Sequence, residues 1–255
     1  MPARQSHAPI AVLIAAAGNG SRMGGDTPKQ YLPLAGSPVL LHALRPFVAH
    51  PRISRIVIVH DALDRHLPKL LLPGEKQIEC VVGGATRAAS VQCGLTHLLA
   101  DKKPEPWVMV HDAARPLITE PAIDRLLQWL DESTLSPATT AGGALLALPV
   151  TDTIKIAEAG HAVKTPDRAT LWAAQTPQLF PTVALHQALS DAELRGETIT
   201  DEASAMECSG HRPTLVTGDT DNFKITHPDD LARAQFVLAG RNTTGETDTS
   251  EEIGT

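Results

Sequence analysis

The residues Ala15-Ala16-Ala17-Gly18-Asn19-Gly20-Ser21-Arg22-Met23-Gly24-Gly25 lead directly to Pro28-Lys29-Gln30. Small residues let a backbone approach a ligand closely, and successive N–H groups in such a loop form a concavity that holds anions. Arg22 and Lys29 add two positive charges. The chemistry suggested is phosphate binding; a solvated glycine turn is the competing reading. The P-loop signature is absent. The dinucleotide pattern GxGxxG starts at Gly18 and Gly20 but meets Met23 at its third position, which disfavours a nicotinamide dehydrogenase.

Two further motifs carry similar chemistry. Val110-His111-Asp112-Ala113-Ala114-Arg115-Pro116 delivers an aspartate at the end of an apolar run. A carboxylate there suits Mg²⁺, which takes one or two carboxylates and fills its shell with phosphate oxygens and water. A turn aspartate that caps the next segment is the alternative. Gly83-Gly84-Ala85-Thr86-Arg87-Ala88-Ala89-Ser90 places glycines before a helix start, where free N–H groups attract anions. The alternative is an ordinary strand–helix turn capped by Thr86. Thr200-Asp201-Glu202 and Asp221-Asn222-Phe223-Lys224 read as structural when taken alone, the first as acids favoured by a helix dipole. There is no GxSxG elbow and no HExxH, and the eleven histidines have no metal-ligand spacing.

The elements that must position these motifs follow from periodicity. Apolar runs predict strands over Ile10–Ala17, Ile53–His60, Gln77–Val82, Trp107–Val110 and Ala144–Val150. Helices are predicted over 37–50 (Ser37 as N-cap, Pro38 first in the helix, Pro46 kinking or shortening it), 63–72 (weakly), 86–100, 120–130, 181–194, 201–208 and 228–238. The segment 152–168 reads as a hairpin built from TIKIA and HAVKT, and 214–216 and 223–226 as short strands. The β-α-β-α alternation predicts an α/β fold with a mostly parallel sheet and helices on both faces. Ligands then bind at the carboxyl ends of the strands.

The 255 residues suit one large α/β domain or two small ones. They carry 22 basic and 29 acidic side chains, a charge of -7. That acidity, with only eight aromatic residues, argues against nucleic acid as a partner. Residues 241–255 hold one arginine and four acids, show no apolar period, and are expected to be a disordered tail. Three cysteines without a CxxC pair predict neither a disulfide framework nor zinc and fit a cytoplasmic setting. Ile10–Ala17 behind Arg4 has the look of a short signal peptide, but the glycine loop that follows favours a buried first strand. No apolar run reaches the roughly 20 residues needed to span a membrane.

Together, AAAGNGSRMG with PKQYL, GGATRAASV, VHDAARP, DTIK, QTPQLF, TDEASA and DNFKIT, in that order from about Ile10 to Ala239, resemble the 2-C-methyl-D-erythritol 4-phosphate cytidylyltransferases of the non-mevalonate isoprenoid pathway. The resemblance implies a doubly wound, Rossmann-like nucleotidyltransferase domain over 1–240. It also implies a projecting β-arm near 150–170 that supports a homodimer. The implied reaction joins CTP to the methylerythritol phosphate with release of pyrophosphate. Ala16, Ala17, Gly18 and Gly20 would wrap the nucleotide, with Arg22 and Lys29 on its triphosphate and Gly84, Arg87 and Ser90 around cytosine and ribose. Asp112 would hold Mg²⁺. Arg115, Thr153, Arg168 and Lys224 would grip the methylerythritol phosphate, Thr153 and Arg168 from the partner's arm. Many members carry Asp where this chain has Ala85, which leaves its base contacts to be found elsewhere. The competing functions are a ribitol-5-phosphate cytidylyltransferase, a sugar-1-phosphate nucleotidyltransferase using another base, and a catalytically inactive nucleotide-binding regulator. TDEASA and HDAARP favour the methylerythritol enzyme over the first, and retention of Arg22, Lys29, Asp112 and Lys224 speaks against the last.

Overall fold

The computed structural model describes residues 8–18, 27–70, 72, 76–133 and 141–245. Strand β1 (Ile10–Ala15) precedes two short paired strands, β2 (Pro33–Leu34) and β3 (Ser37–Pro38), and helix α1 (Val39–Ala49). Strands β4 (Ile53–His60) and β5 (Gln77–Val82), helix α2 (Arg87–Leu99), strand β6 (Trp107–Asp112) and helix α3 (Glu120–Ser133) follow. The second half has β7 (Ala144–Pro149), β8 (Ile156–Glu158), β9 (His161–Lys164), β10 (Trp172–Pro181), helices α4 (Thr182–Leu194) and α5 (Glu202–Cys208), strand β11 (Thr214–Thr217) and helix α6 (Pro228–Gly245).

Seven strands form one sheet in the order β11-β7-β10-β6-β1-β4-β5. β6, β1, β4 and β5 are mutually parallel, β11 is parallel to β7, and β10 runs antiparallel to both its neighbours. The expected mostly parallel α/β sheet is thus present. Its first strand is apolar throughout because both faces are covered. Ile10, Val12 and Ile14 pack with Leu40, Leu44 and Phe47 of α1 and Ile123, Leu126 and Leu130 of α3. Ala11 and Leu13 turn the other way, toward Val91 and Leu95 of α2, Leu185 and Leu189 of α4, and Met206 of α5. Ile10–Ala15 is therefore a central buried strand, as the glycine loop behind it suggested. Among the described residues no helix is long and apolar enough to cross a membrane.

Several local expectations change. Ser37 does not cap α1. It pairs with Leu34 in β3, as a residue before proline favours extended backbone, and Pro38 occupies the cap position. Pro46 does not end α1, which runs on to Ala49. The weak helix at 63–72 is only a 3-10 turn at Leu67–Lys69, because the Asp64 carboxylate takes the N–H groups of His66 and Leu67. Residues 223–226 form no strand; their backbone groups bond to loops instead, Ile225 N–H to the Ala114 carbonyl. The strand ending in the sequence at Val110 continues to Asp112. Helix α6 extends through 241–245, and 246–255 lie outside the described residues. The hairpin at 152–168 is formed by β8 and β9, exposed throughout, with Ala159 and Gly160 at positive φ in its turn.

Besides the two-residue strands β2 and β3, β10 is a strand that the sequence patterning does not predict. Its pairing with β7 shifts register between Ala174 and Gln178. That bulge frees the backbone of Gln175–Pro177 for side-chain partners at the site.

Gly143 opens β7 at φ +71°, and its carbonyl accepts from Thr214 N–H at 2.9 Å to start the β7–β11 pairing. A Cβ there would run into the Phe180 ring and stand 2.6 Å from the Leu179 carbonyl oxygen. Gly143→Ala is expected to lower the unfolding free energy by about 3 kcal/mol, combining left-handed strain with overpacking. Urea titration would show it as a lower midpoint at unchanged slope. A wild-type midpoint would remove this account of Gly143.

Candidate active site

The carboxyl ends of β1, β4, β5 and β6 surround a cleft of about 410 Å³. Ala15 to Gly18 form one wall as the chain leaves β1. Lys29 and Gln30 return across its mouth from a 3-10 turn at Lys29–Tyr31. Gln30 Nε2 donates to the Ala16 carbonyl at 2.7 Å, which pins the turn to the wall. Lys29 Nζ donates to the Ile225 carbonyl at 2.9 Å, so the lysine bridges the first loop and the 222–226 segment. Tyr31 stacks on His66 and hydrogen-bonds Asp64, tying the same turn to the β4–β5 connection.

Asp112 is the hub. It ends β6, its side chain is nearly buried, and its two oxygens meet cations from two other parts of the chain. Arg87 Nε donates to Oδ1 at 3.0 Å, and Lys224 Nζ lies 2.8 Å from Oδ2. Arg115 Nε stands 3.7 Å from Oδ2. Burial would raise the carboxyl's pKa, but Arg87, Lys224 and Arg115 outweigh it and hold Asp112 well below the usual carboxylate range. Arg87 is in turn gripped by Glu202, Nη1 to Oε1 at 2.6 Å and Nη2 to Oε2 at 3.0 Å. Burial opposes its charge, yet Glu202 and Asp112 hold it above the ordinary arginine value. Glu202 is buried in the first turn of α5. The Asp201 carboxylate caps that helix and also accepts from Gln178 Nε2 at 2.8 Å, so α5 is locked to β10.

Behind Asp112 lies a neutral network. The Arg115 carbonyl can only accept, so His111 Nε2, 3.1 Å away, carries the imidazole proton. His111 Nδ1 then accepts from the Thr176 hydroxyl at 3.0 Å, and that oxygen accepts Asp112 N–H at 3.0 Å. Burial is the main cause that pushes His111 down to about 4, against the pull of Asp112. Asn222 Nδ2 donates to the Thr176 carbonyl at 2.8 Å, and Arg115 Nη1 to the Asn222 carbonyl at 2.6 Å. A second hollow of about 200 Å³ shares Arg87, Asp112 and Lys224 with the first and adds Arg115, Gln175, Thr176 and Asp201.

Of the residues singled out in the sequence, Ala16, Ala17, Gly18, Lys29, Gly84, Arg87, Ser90, Asp112 and Lys224 line the main cleft. Arg115 lines the adjoining hollow. Gly20 and Arg22 lie outside the described residues. Thr153 and Arg168 line neither space; they are exposed at the base of the arm, where Arg168 Nη1 donates to the Thr151 carbonyl at 2.9 Å. Lys224 is delivered by an irregular segment rather than a strand. Ser90 is buried, and its hydroxyl lies 3.1 and 2.9 Å from the Gly84 and Thr86 carbonyls, holding the loop's shape. Glu202, Thr176, Gln30, Asn222 and Asp61 were not among the singled-out residues. Glu202 and Asn222 stand in motifs that read as structural when taken alone, Gln30 follows Lys29 in the first motif, Thr176 lies in QTPQLF, and Asp61 falls in none of them.

The family model for 2-C-methyl-D-erythritol 4-phosphate cytidylyltransferase (IspD) matches residues 10–240. The chain is 46% identical over 229 residues to the 2-C-methyl-D-erythritol 4-phosphate cytidylyltransferase of Haemophilus ducreyi, covering 90% of this chain and 96% of that one. The same identity holds over 240 residues with the enzyme of that name from Ralstonia nicotianae, covering 92% and 93%. The crystal structure of the Francisella tularensis enzyme of that name superposes at TM-score 0.75 and 33% identity, covering 89% of this chain and 99% of its own. A crystal structure of 4-diphosphocytidyl-2C-methyl-D-erythritol synthase superposes at TM-score 0.75 and 36% identity, covering 91% and 100%. The chain belongs to the 2-C-methyl-D-erythritol 4-phosphate cytidylyltransferase family.

Proposed function

We propose that the cleft between Lys29, Asp112 and Lys224 transfers a cytidylyl group from CTP to 2-C-methyl-D-erythritol 4-phosphate, the family's step in isoprenoid precursor synthesis. The observation that carries this reading is that Lys29 and Lys224 line one cleft with the small-residue wall Ala15–Gly18, beside the ionised Asp112 carboxylate. A phosphate oxygen of the alcohol substrate attacks the α-phosphorus of CTP in line. The new P–O bond forms as the bond to the bridging oxygen breaks, and pyrophosphate leaves with that oxygen. The attacking phosphate is already ionised, so no general base is required. The problem is bringing two anions together while charge builds on the α-phosphoryl oxygens, which makes catalysis a matter of position and electrostatics.

The chain's own groups suit that task. Arg87, Arg115 and Lys224 against Asp112 and Glu202 leave one net positive charge before Lys29 is counted. Lys29 faces the triphosphate. Lys224 and Arg115 face the second phosphate from the adjoining hollow. Asp112 fits a Mg²⁺ site of the phosphate-sharing kind: it is a hard oxygen donor, remains ionised, and stands at the rim of both spaces. Mg²⁺ held there with phosphate oxygens would supply further charge neutralisation. Asp112 is already bonded to Arg87 and Lys224, so it is one ligand of such a shell and not the whole of it.

Thr153 and Arg168 take their place on the methylerythritol phosphate from a second copy. The β8–β9 arm carries partly exposed apolar side chains, Ile154, Ile156 and Val163, which a homodimer would cover.

Lys29→Ala is expected to lose most of the turnover, read as pyrophosphate release with CTP, Mg²⁺ and methylerythritol phosphate, while its circular dichroism and melting stay native. Near-normal turnover would remove Lys29 from the mechanism. The shared site predicts complementation. Lys29→Ala and Arg168→Ala are each poorly active alone, but mixing and re-equilibrating them restores about a quarter of wild-type activity, because half the dimers then contain one intact site. Failure of the mixture to exceed its components would place Arg168 outside the partner's site.

His111 gives a pH prediction. Its folded pKa of about 4 lies below its ordinary value of 6.5, so its stabilising contribution is complete above that value and is lost as the pH falls toward 4. Stability should fall by about 2 kcal/mol between pH 7 and pH 5 from this group. His111→Gln should flatten that slope in urea titrations; an unchanged slope would reassign it. Asp112, held low, contributes its own loss only at more acid pH.

A further inference from the structure

Reading across the carboxyl edge of the sheet from the reacting centre, the strands are β6, β1, β4 and β5. β6 ends in Asp112, and β1 opens the phosphate-facing wall. At about 4.8 Å per strand, the end of β4 stands roughly 10 Å from Asp112 and the end of β5 some 5 Å farther. A nucleoside triphosphate with its α-phosphorus near Asp112 therefore lays its ribose against β4 and its base against the β5–α2 turn.

The polar side chains of that turn are engaged by the protein. Thr86 Oγ1 accepts from Ala89 N–H at 3.1 Å, the Ser90 hydroxyl is held by two loop carbonyls, and Arg87 is clamped between Asp112 and Glu202. Ala85 brings no polar group. Across from the turn, Asp61 follows directly on the last residue of β4 and lines the same cleft. Its Oδ1 accepts from Leu63 N–H at 2.7 Å, which fixes the carboxylate's orientation. Among the described residues no hydrogen bond falls on Oδ2. A carboxylate only accepts, so its ligand must donate. An acid at the end of the strand beside a phosphate-loop strand is the group that holds ribose hydroxyls in other doubly wound nucleotide sites.

We infer that Asp61 accepts hydrogen bonds from the ribose hydroxyl pair of the nucleotide and sets selection for ribonucleotide over deoxyribonucleotide. The inference rests on the reading of this cleft as the cytidylyl-transfer site.

The test is steady-state pyrophosphate release by wild type, Asp61→Asn and Asp61→Ala with CTP, 2′-deoxy-CTP and UTP. Asp61→Ala should raise the KM for CTP by roughly tenfold, as expected for a hydrogen bond to a charged group. The preference for CTP over 2′-deoxy-CTP should shrink by a similar factor, with the KM for methylerythritol phosphate unchanged. Asp61→Asn, which keeps an acceptor of the same shape, should fall between. A wild-type ratio of CTP to 2′-deoxy-CTP in Asp61→Ala overturns the inference. So does a change confined to the ratio of CTP to UTP, which would move Asp61 to the base's amino group. Parallel rises in both substrates' KM would also overturn it, as a loop distortion. Absence of turnover by wild type with CTP would instead overturn the cytidylyl-transfer reading itself.

Discussion

The Asp112 carboxylate is the point at which distant parts of this chain are made to agree. Arg87 reaches it from the start of α2 and Lys224 from the segment before α6, while Asp112 itself ends β6 beside the central strand. Glu202 joins α5 to the same cluster through Arg87. Burying so many charges is not an efficient route to stability, since desolvation offsets much of the Coulomb gain. What the arrangement provides is definition. With one partner removed, the remaining charges are left uncompensated in a partly buried place, so alternative placements of α2, α5 or the 222–226 segment are disfavoured.

The sheet explains why the cluster forms where it does. Parallel strands with helices on both faces leave their carboxyl ends open, and the loops that leave them converge on one cleft. The inverted strand β10 then closes the other side. Its bulge presents the Thr176 hydroxyl and carbonyl to His111, Asp112 and Asn222, so the neutral network and the charged cluster share one backbone segment. Beyond the bulge, β10 leads back toward the arm that carries Arg168.

Much of this was legible from residue order. The strands of the first half are short apolar runs bounded by glycine or polar residues, and β1, β5 and β6 each lead into a motif whose chemistry needs a strand end. What the sequence hid has physical causes. β10 contains Pro177 and Pro181 and three residues of weak strand character, so its pattern argues against an interior strand; the bulge removes the objection by taking Pro177 out of the ladder. Segment 223–226 looks like a strand because Phe223 and Ile225 are apolar, but they pack against α6 and its neighbours rather than in the sheet. Glu202 was indistinguishable from a dipole-favouring acid, because its partner Arg87 is 115 residues away. Long-range ion pairs leave no local period to read.

The same distances sharpen what each cation can do. Arg87 stands in a motif that resemblance places around the nucleoside, yet its guanidinium donates to two carboxylates at once. A fork so occupied orients Asp112 and has little left to offer a ligand. The cations left to the cleft are Lys29, Lys224 and Arg115, held by the Ile225 carbonyl, the Asp112 carboxylate and the Asn222 carbonyl respectively. A chain of charge -7 can thus present a locally positive cleft to a strongly anionic substrate. Exposed acids more than about 10 Å away are screened by salt, whereas the cleft's cations act at contact distance in a partly buried setting. Total charge describes how the protein meets solvent, and the cluster around Asp112 sets the charge that the cleft presents.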